Sequence, residues 1–430
     1  MKLTVLDPGH FHAALLQKSM YGGIDDDVHV YAPAGPDLTD YVNKIDSFNA
    51  RAQAPTHWKL HAHAGPDFLD RFAAERQGDI VVISGNNARK TEYLTRSVAA
   101  GCHTLADKPM AIDAAGFDAV ARAFALAREQ GVLLYDIMTE RHEITTMLQK
   151  AFSAIESVFG TLERGTPERP AVTKESVHHF SKLVSGAPIK RPAWFFDTAQ
   201  QGEGLVDITT HLVDLVQWEC LPGEILDYRA DVRLIGARRW PTVISPAQFT
   251  QVTQVATFPA FLRKDVAADG NLHVYANGEI DYALRGIHAK VSVLWNFEAP
   301  AGAGDTHYSV LRGTRADLVI RQGLAEKYQP TLSIEPVAGT DLREFESALA
   351  ASLPRLQFEF PGVDVERVGD GWQVHVPASY HVGHEAHFAQ VAEEFLRHVK
   401  AGALPEWEAP NMLAKYYTTT QALALARGVP

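Results

Sequence analysis

Short apolar runs alternate with stretches of helical period through the first third of the chain. Residues 3–6 are apolar and stop at Asp7-Pro8-Gly9; residues 12–20 carry helical spacing, and 28–31 form a second strand-like run. Residues 80–83 are apolar at every position, the pattern of a parallel strand buried on both faces. A small-residue turn follows at 84–88, then a helix to Ala100 with Gly101 as its stop, and a strand at 103–106. Asp113 is placed to cap the next helix, whose buried stripe is Phe117, Val120, Phe124 and Ala127 and whose end is Gly131; a strand at 132–135 closes the series. Strands separated by helices of this length predict βαβ units and a doubly wound sheet. Residues 33–65, rich in proline and polar groups, read as an insertion with one helix near 38–48.

Beyond about residue 155 the texture changes. Strand-like stretches at 228–235, 272–275, 280–284, 289–297 and 308–311 alternate apolar and polar residues, which suits a mostly antiparallel sheet. Residues 331–383 read as a strand–helix–strand–strand insert, and helices are predicted near 384–401 and 409–426. The fold class that follows is α/β: a Rossmann-type doubly wound sheet over 1–150 and an α+β domain with a mostly antiparallel sheet over 151–430.

Composition narrows the function. The 430 residues are 46% hydrophobic and 21% charged, with a formal net charge of −12. An acidic chain without a long basic run argues against nucleic acid or an anionic membrane as the partner. No apolar run of about 18 residues exists, so no membrane span is expected. The two cysteines, Cys102 and Cys220, lie far apart in unlike contexts, which suggests neither a disulfide framework nor a thiolate metal site. A cytoplasmic, reducing setting is expected.

Three segments carry candidate chemistry. The first, Leu6-Asp7-Pro8-Gly9-His10-Phe11-His12, is a strand–turn–helix junction that would aim backbone N–H groups at a pyrophosphate, with Asp7 and His12 where two of the three fingerprint glycines usually stand. The second runs from Ile83-Ser84-Gly85-Asn86-Asn87 through a helix to Asp107-Lys108-Pro109-Met110; a lysine beside a bound substrate can polarise a hydroxyl or relay its proton. The third is Gly202-Glu203-Gly204 followed by Asp207, His211 and Asp214, spaced by four and three so that they would share a helix face. A carboxylate one turn from an imidazole can orient it as an acid–base.

Together these segments resemble the Gfo/Idh/MocA family of sugar and cyclitol oxidoreductases, in the subgroup with a distinctive C-terminal oxidoreductase domain. The likeness touches roughly residues 1–32, 79–215 and 308–320. The family's Glu-Lys-Pro reads Asp107-Lys108-Pro109 here, and its Asp-x-x-x-His-x-x-Asp reads Asp207, His211, Asp214. The resemblance implies NAD or NADP as cofactor, held by Asp7, Gly9, His10, Phe11, His12, Ser84, Asn86, Asn87, Asp107 and Lys108. It implies Lys108, Asp207 and His211 as catalytic groups and a homo-oligomer, dimer or tetramer. The second strand ends at Tyr31-Ala32-Pro33 without the usual ribose-binding acid, so the choice between NAD and NADP stays open.

Arg141, Lys174, His178 and Trp194 are added, with Asp207 and His211, as candidates for binding a carbohydrate. The 19 histidines raise a metal question, most densely at His381, His384 and His387, yet no metal is expected from spacing alone. The function expected is NAD(P)-dependent oxidation or reduction at a secondary hydroxyl of a sugar or cyclitol. Two other readings stay open: a glycosidase or lyase using transient ring oxidation, and a non-catalytic dinucleotide-binding sensor.

Overall fold

The computed structural model describes residues 1–184 and 187–429. Its first sheet contains β1 (Leu3–Leu6), β2 (Asp27–Ala32), β3 (Lys59–Ala64), β4 (Ile80–Ile83), β5 (His103–Asp107) and β6 (Leu134–Ile137). The spatial order is β3-β2-β1-β4-β5-β6, all parallel, with Leu3 in register with both Val28 and Ile80. Every residue of β1 and β4 is buried, Thr4 of β1 included, as strands covered on both faces require. The order reverses between β1 and β4, and such a switch point opens a crevice at the carboxyl ends of the strands.

The helix Ala114–Gln130 begins on Asp113, whose carboxylate accepts from the Gly116 amide at 2.7 Å, and ends at Gly131 with φ 67°. The first helix is shorter than its pattern suggested, His12–Leu16, because Gln17 turns away to receive the Trp58 indole N–H on its carbonyl.

Residues 33–65 are not an insertion. They supply the helix Pro36–Ala50 and then β3, the edge strand of the sheet. An edge strand with solvent on its outer side needs no apolar run, and Lys59, His61, Ala62 and Ala64 are exposed.

The second sheet has nine strands. In spatial order they are Val232–Ile244, Leu272–Leu284, Ile287–Glu298, Val172–Ser181, Thr306–Arg312, Ala316–Gln322, Thr331–Pro336, Gly371–His375 and Asp364–Val368. Neighbours are antiparallel except Ile287–Glu298 with Val172–Ser181. The stretches 272–275 and 280–284 are one strand, and the 331–383 segment extends this sheet: Ser333 pairs with Gln373. Residues 228–231 form a helical turn ahead of the first of these strands.

A boundary near 150 does not divide the packing into two contiguous halves. The helix His384–Ala401 buries Phe388, Val391, Phe395 and Leu396 in the same core as β1, β4 and β5. The last helix, Glu408–Ala426, joins both cores: Met412 and Tyr416 in the first, Ala414, Ala422 and Leu423 in the second. No helix among the described residues is long and apolar enough to cross a membrane.

The returning helix is therefore part of the first layer. Phe395, 1% exposed, becomes a cavity when cut to alanine. Phe395→Ala is expected to cost about 3–5 kcal/mol, measured by urea unfolding with a probe of the N-terminal sheet.

Candidate active site

The β1 turn is shaped by close backbone approach. Asp7 adopts φ 44°, a left-handed conformation that Asp tolerates better than most residues, and its carboxylate accepts from the Tyr93 hydroxyl at 2.8 Å. Gly85 sits against it: a Cβ there would lie 2.0 Å from the Asp7 carbonyl oxygen. At Gly9 a Cβ would meet the Asp37 carboxylate at 3.0 Å and Trp194 at 3.4 Å. Trp194, on the turn Ala193–Phe196, donates its indole N–H to Asp37 at 2.9 Å and so bridges from the second segment to the helix after β2.

Asp7, Gly9, Asp37, Tyr93 and Trp194 line a cleft of about 790 Å³. His10, Phe11, Asn86, Arg89, Lys190 and Arg191 also face it. Burial raises the Asp7 carboxyl above its ordinary value, against the pull of Tyr93, with Asp37 adding to the rise. Burial likewise raises Asp37, against its bond from Trp194.

Beside this cleft, Lys108 at the end of β5 meets Asp207, with Nζ 2.5 Å from Oδ1 and both side chains under 10% exposed. Ninety-nine residues separate them, so tertiary structure alone makes the pair. The glycine lead-in is what delivers Asp207. Gly204 passes so near the strand Leu272–Leu284 that a Cβ would stand 2.0 Å from the Ala276 carbonyl, and the Asp207 amide bonds back to the Glu203 carbonyl at 3.0 Å. Glu203 itself is held by Arg239 and Arg427.

Asp207 lies in this turn, ahead of the helix Thr209–Cys220. The one-face arrangement expected for Asp207, His211 and Asp214 is therefore broken. Asp214 turns to a separate buried network, while His211 stays within reach of the Lys108 charge. Burial first, then the Lys108 charge and His384, hold the His211 imidazole well below its ordinary pKa, and its Nδ1 is buried without a hydrogen-bond partner.

His10 links the two regions, since its ring lines the cleft and its electrostatic neighbours include Asp107 and Lys108. Its own basicity is lowered by burial and then by His12. Asp107 accepts from Ser84 at 3.1 Å and pairs with His12 at 2.8 Å. Burial pushes its carboxyl up, but His12, Lys90 and His10 outweigh that and keep it ionised. Lys90, almost fully buried, donates to the Asp107 carbonyl at 2.8 Å, and burial lowers its pKa to about 8.

Across from Lys108, His384 comes within 3.4 Å of Glu140, and His178 bonds Ser176 at 2.6 Å and lies 3.5 Å from Asp305. Asp305 also pairs with His179 and Lys182.

Several sequence candidates belong elsewhere. Arg141 is engaged by two buried carboxylates: its guanidinium makes two 2.7 Å bonds to Asp214 and bonds of 2.9 and 3.2 Å to Glu408. Lys174, 1% exposed, is bonded to Glu219 at 2.7 Å and Ser309 at 2.8 Å. Asn87 is buried and donates to the Gln201 carbonyl, so Asn86 alone of the two faces the cleft. Ser84 and Asp107 are buried and act through their neighbours. Trp194 lines the cleft, on the side of Gly9. His381 is exposed and His387 buried, so the 381/384/387 set does not converge.

Glu140, Asp305, Lys90, Arg191 and Asp37 went unnoticed in the sequence. Asp37 had a local signal, an acid just past β2 in the first turn of a helix. The others had none, since their importance lies in distant partners.

A parallel sheet ordered β3-β2-β1-β4-β5-β6, with a lysine just after β5 paired to an aspartate of the next segment, makes a Rossmann-type domain joined to a second, mostly antiparallel sheet. Residues 148–427 match the family described as "Putative oxidoreductase C terminal domain", and the chain belongs to that family. It is similar, at 53% identity over 100% of this chain and 98% of the other, to "a putative oxidoreductase from Parabacteroides merdae ATCC 43184", with a TM-score of 0.98. More distant structures share the fold. One is a Thermotoga maritima protein at 13% identity, covering 100% and 97% of the two chains with TM-score 0.61. Another is a 3-ketoreductase from Actinomadura kijaniata, solved with NADP and TDP-benzene, at 17% identity, 100% and 97% coverage and TM-score 0.56. No curated protein matches the chain.

If Arg141 is structural, Arg141→Met leaves Asp214 and Glu408 buried with less compensation. The expected loss is about 3–5 kcal/mol in chemical denaturation, whether or not a sugar is present. The depressed pKa values of His10 and His211 make a second prediction. The unfolded chain binds protons at these sites below about pH 6.5 while the folded chain does not, so their contribution is present above that pH and is lost on acidification. The urea midpoint is expected to fall as pH drops from about 7 to about 5, and less steeply in His211→Gln.

Proposed function

We propose that this protein is an NAD(P)-dependent oxidoreductase acting on a secondary hydroxyl of a sugar or cyclitol. The observation that supports the reading is the buried Lys108–Asp207 pair at the carboxyl edge of the parallel sheet, with His211 close enough for the Lys108 charge to act on it and a cleft of about 790 Å³ nearby.

The residues fit a dinucleotide. The cleft runs past Gly9, where a side chain would crowd Asp37 and Trp194, and carries Arg89, Lys190 and Arg191 to neutralise phosphate charge. Two fold relatives add support: the Actinomadura kijaniata 3-ketoreductase is in complex with NADP, and an enzyme of gentamicin A biosynthesis is in complex with NAD. The bound nicotinamide supplies the hydride acceptor or donor.

The chain's own task is proton handling and placement. Asp207 holds the Lys108 ammonium in a fixed direction, so that Nζ can donate to the oxygen of the reacting carbon. As that carbon gives up hydride and its oxygen becomes a carbonyl, the hydroxyl proton passes to the neutral His211 ring; in reduction the same groups return it. Removing water from these charges strengthens each interaction.

The setting follows the same reading: a cytoplasmic homo-oligomer, dimer or tetramer. Two free thiols suit a reducing compartment. The strand Ile287–Glu298 buries Ala289, Val291, Val293 and Trp295 on one face and leaves Lys290, Ser292, Leu294 and Asn296 on the other, available to a second copy.

Reduced nicotinamide is expected to appear when the protein meets NAD or NADP and a panel of sugars, cyclitols and glycosides. Lys108→Met is expected to lower kcat/KM by about a hundred- to ten-thousand-fold while leaving dinucleotide affinity nearly unchanged. Absence of turnover with every polyol and every keto-sugar counts against the reading.

A further inference from the structure

His10, His12 and Asp107 bring one ligand atom each to within 4.8 Å of one another. Both imidazoles present Nδ1 to the same carboxylate oxygen, His12 at 2.8 Å and His10 at 3.6 Å, and the two rings stand edge to face at 4.1 Å. The Ser84 hydroxyl donates to that oxygen at 3.1 Å, and Lys90 fixes the backbone of Asp107 by bonding its carbonyl. Two imidazoles and a carboxylate on rigid elements, with second-sphere groups fixing the carboxylate, make a donor set for a first-row divalent ion.

We propose that His10, His12 and Asp107 form a divalent metal site of the zinc, manganese or ferrous class just beyond the carboxyl ends of β1 and β5, behind the wall of the cleft that His10 lines. The assignment does not depend on the hydride reading. It accounts together for two departures from the dinucleotide pattern. His12 stands where the fingerprint has a glycine, and Asp107 replaces a glutamate; the two are 95 positions apart and touch. Spacing alone would not reveal this, because His10 lies in the turn after β1, His12 opens the helix that follows, and Asp107 ends β5.

The charges define what else the ion would bind. Lys90 and Lys108 are offset by Asp107 and Asp207, so an added divalent ion leaves positive charge at the cleft wall. Its remaining positions would take water or an anionic oxygen, such as a substrate carboxylate or alkoxide. Neither cysteine is in the set, so the coordination is purely nitrogen and oxygen.

The test uses Co2+ as a spectroscopic probe on chelator-treated full-length protein, with stoichiometry by elemental analysis and folding checked by circular dichroism. One Co2+ per chain is expected, with weak visible d–d bands and no thiolate charge-transfer band. His12→Gln and Asp107→Asn are expected to weaken binding by more than about a hundred-fold and Ser84→Ala by about ten-fold. Asp26→Asn, in the half-buried acidic trio Asp25–Asp26–Asp27, is expected to change nothing. Should a variant misfold, Co2+ titration of the wild type in the presence of diethylpyrocarbonate, which modifies accessible imidazoles, replaces it: Co2+ is expected to protect His10 and His12 in peptide maps. No bound Co2+, unchanged affinity in both His12→Gln and Asp107→Asn, or no protection of these two histidines overturns the assignment.

Discussion

Arg141, Asp214, Lys415, Asp136 and Glu408 form a buried ion network on which the geometry of the cleft depends. Arg141 is bidentate to Asp214 and also reaches Glu408; Lys415 pairs with Asp136 at 2.6 Å and Asp214 at 2.8 Å; the Tyr416 hydroxyl donates to Asp136 at 2.7 Å. Asp136 lies on β6, Arg141 just after it, Asp214 on the helix Thr209–Cys220, and the remaining three on the last helix. One network thus ties the parallel sheet to the helix beyond Asp207. Such pairs contribute little net stability over an apolar replacement, but each is costly to break, because a lone charge is left in the interior. Their effect is directional: they allow one placement of the helix, and Asp207 meets Lys108 in that placement.

A similar economy governs the turn after β1. Where a dinucleotide fold usually keeps glycines for close approach, this chain has Asp7 in a left-handed conformation and moves the close contact to Gly85 on the neighbouring turn. His12 then uses its side chain against Asp107. The backbone geometry of the crevice is kept by different residues, which explains how a degraded fingerprint coexists with an intact switch point.

Much of the fold was legible. Buried parallel strands such as Ile80–Ile83 announce themselves because both faces need apolar residues, and Asp113 and Gly131 bound their helix as their chemistry predicts. The edge strand Lys59–Ala64 was missed because solvent on one side removes that requirement. The helix His384–Ala401 was found, but its place on the first sheet was not, since an apolar stripe does not say which core it joins. At the site, Lys108, Asp207 and His211 came from family likeness, and of these Lys108 and Asp207 are in contact, whereas Arg141 and Lys174 looked like free cations and are locked into buried pairs.

By itself the amino-acid order determined the local elements, the alternation that makes a parallel sheet, and the residue types able to move a proton. Periodicity and capping act over a few residues, so they can be read along the chain. Tertiary structure decided which charges are spent on each other and which remain for a ligand. Asp214 and Asp207 are seven positions apart and chemically identical, yet one is consumed by Arg141 and Lys415 and the other faces Lys108 at the cleft. That difference arises from partners dozens to hundreds of residues away, where Coulomb attraction in a desolvated interior depends on distance in space and not on separation in sequence.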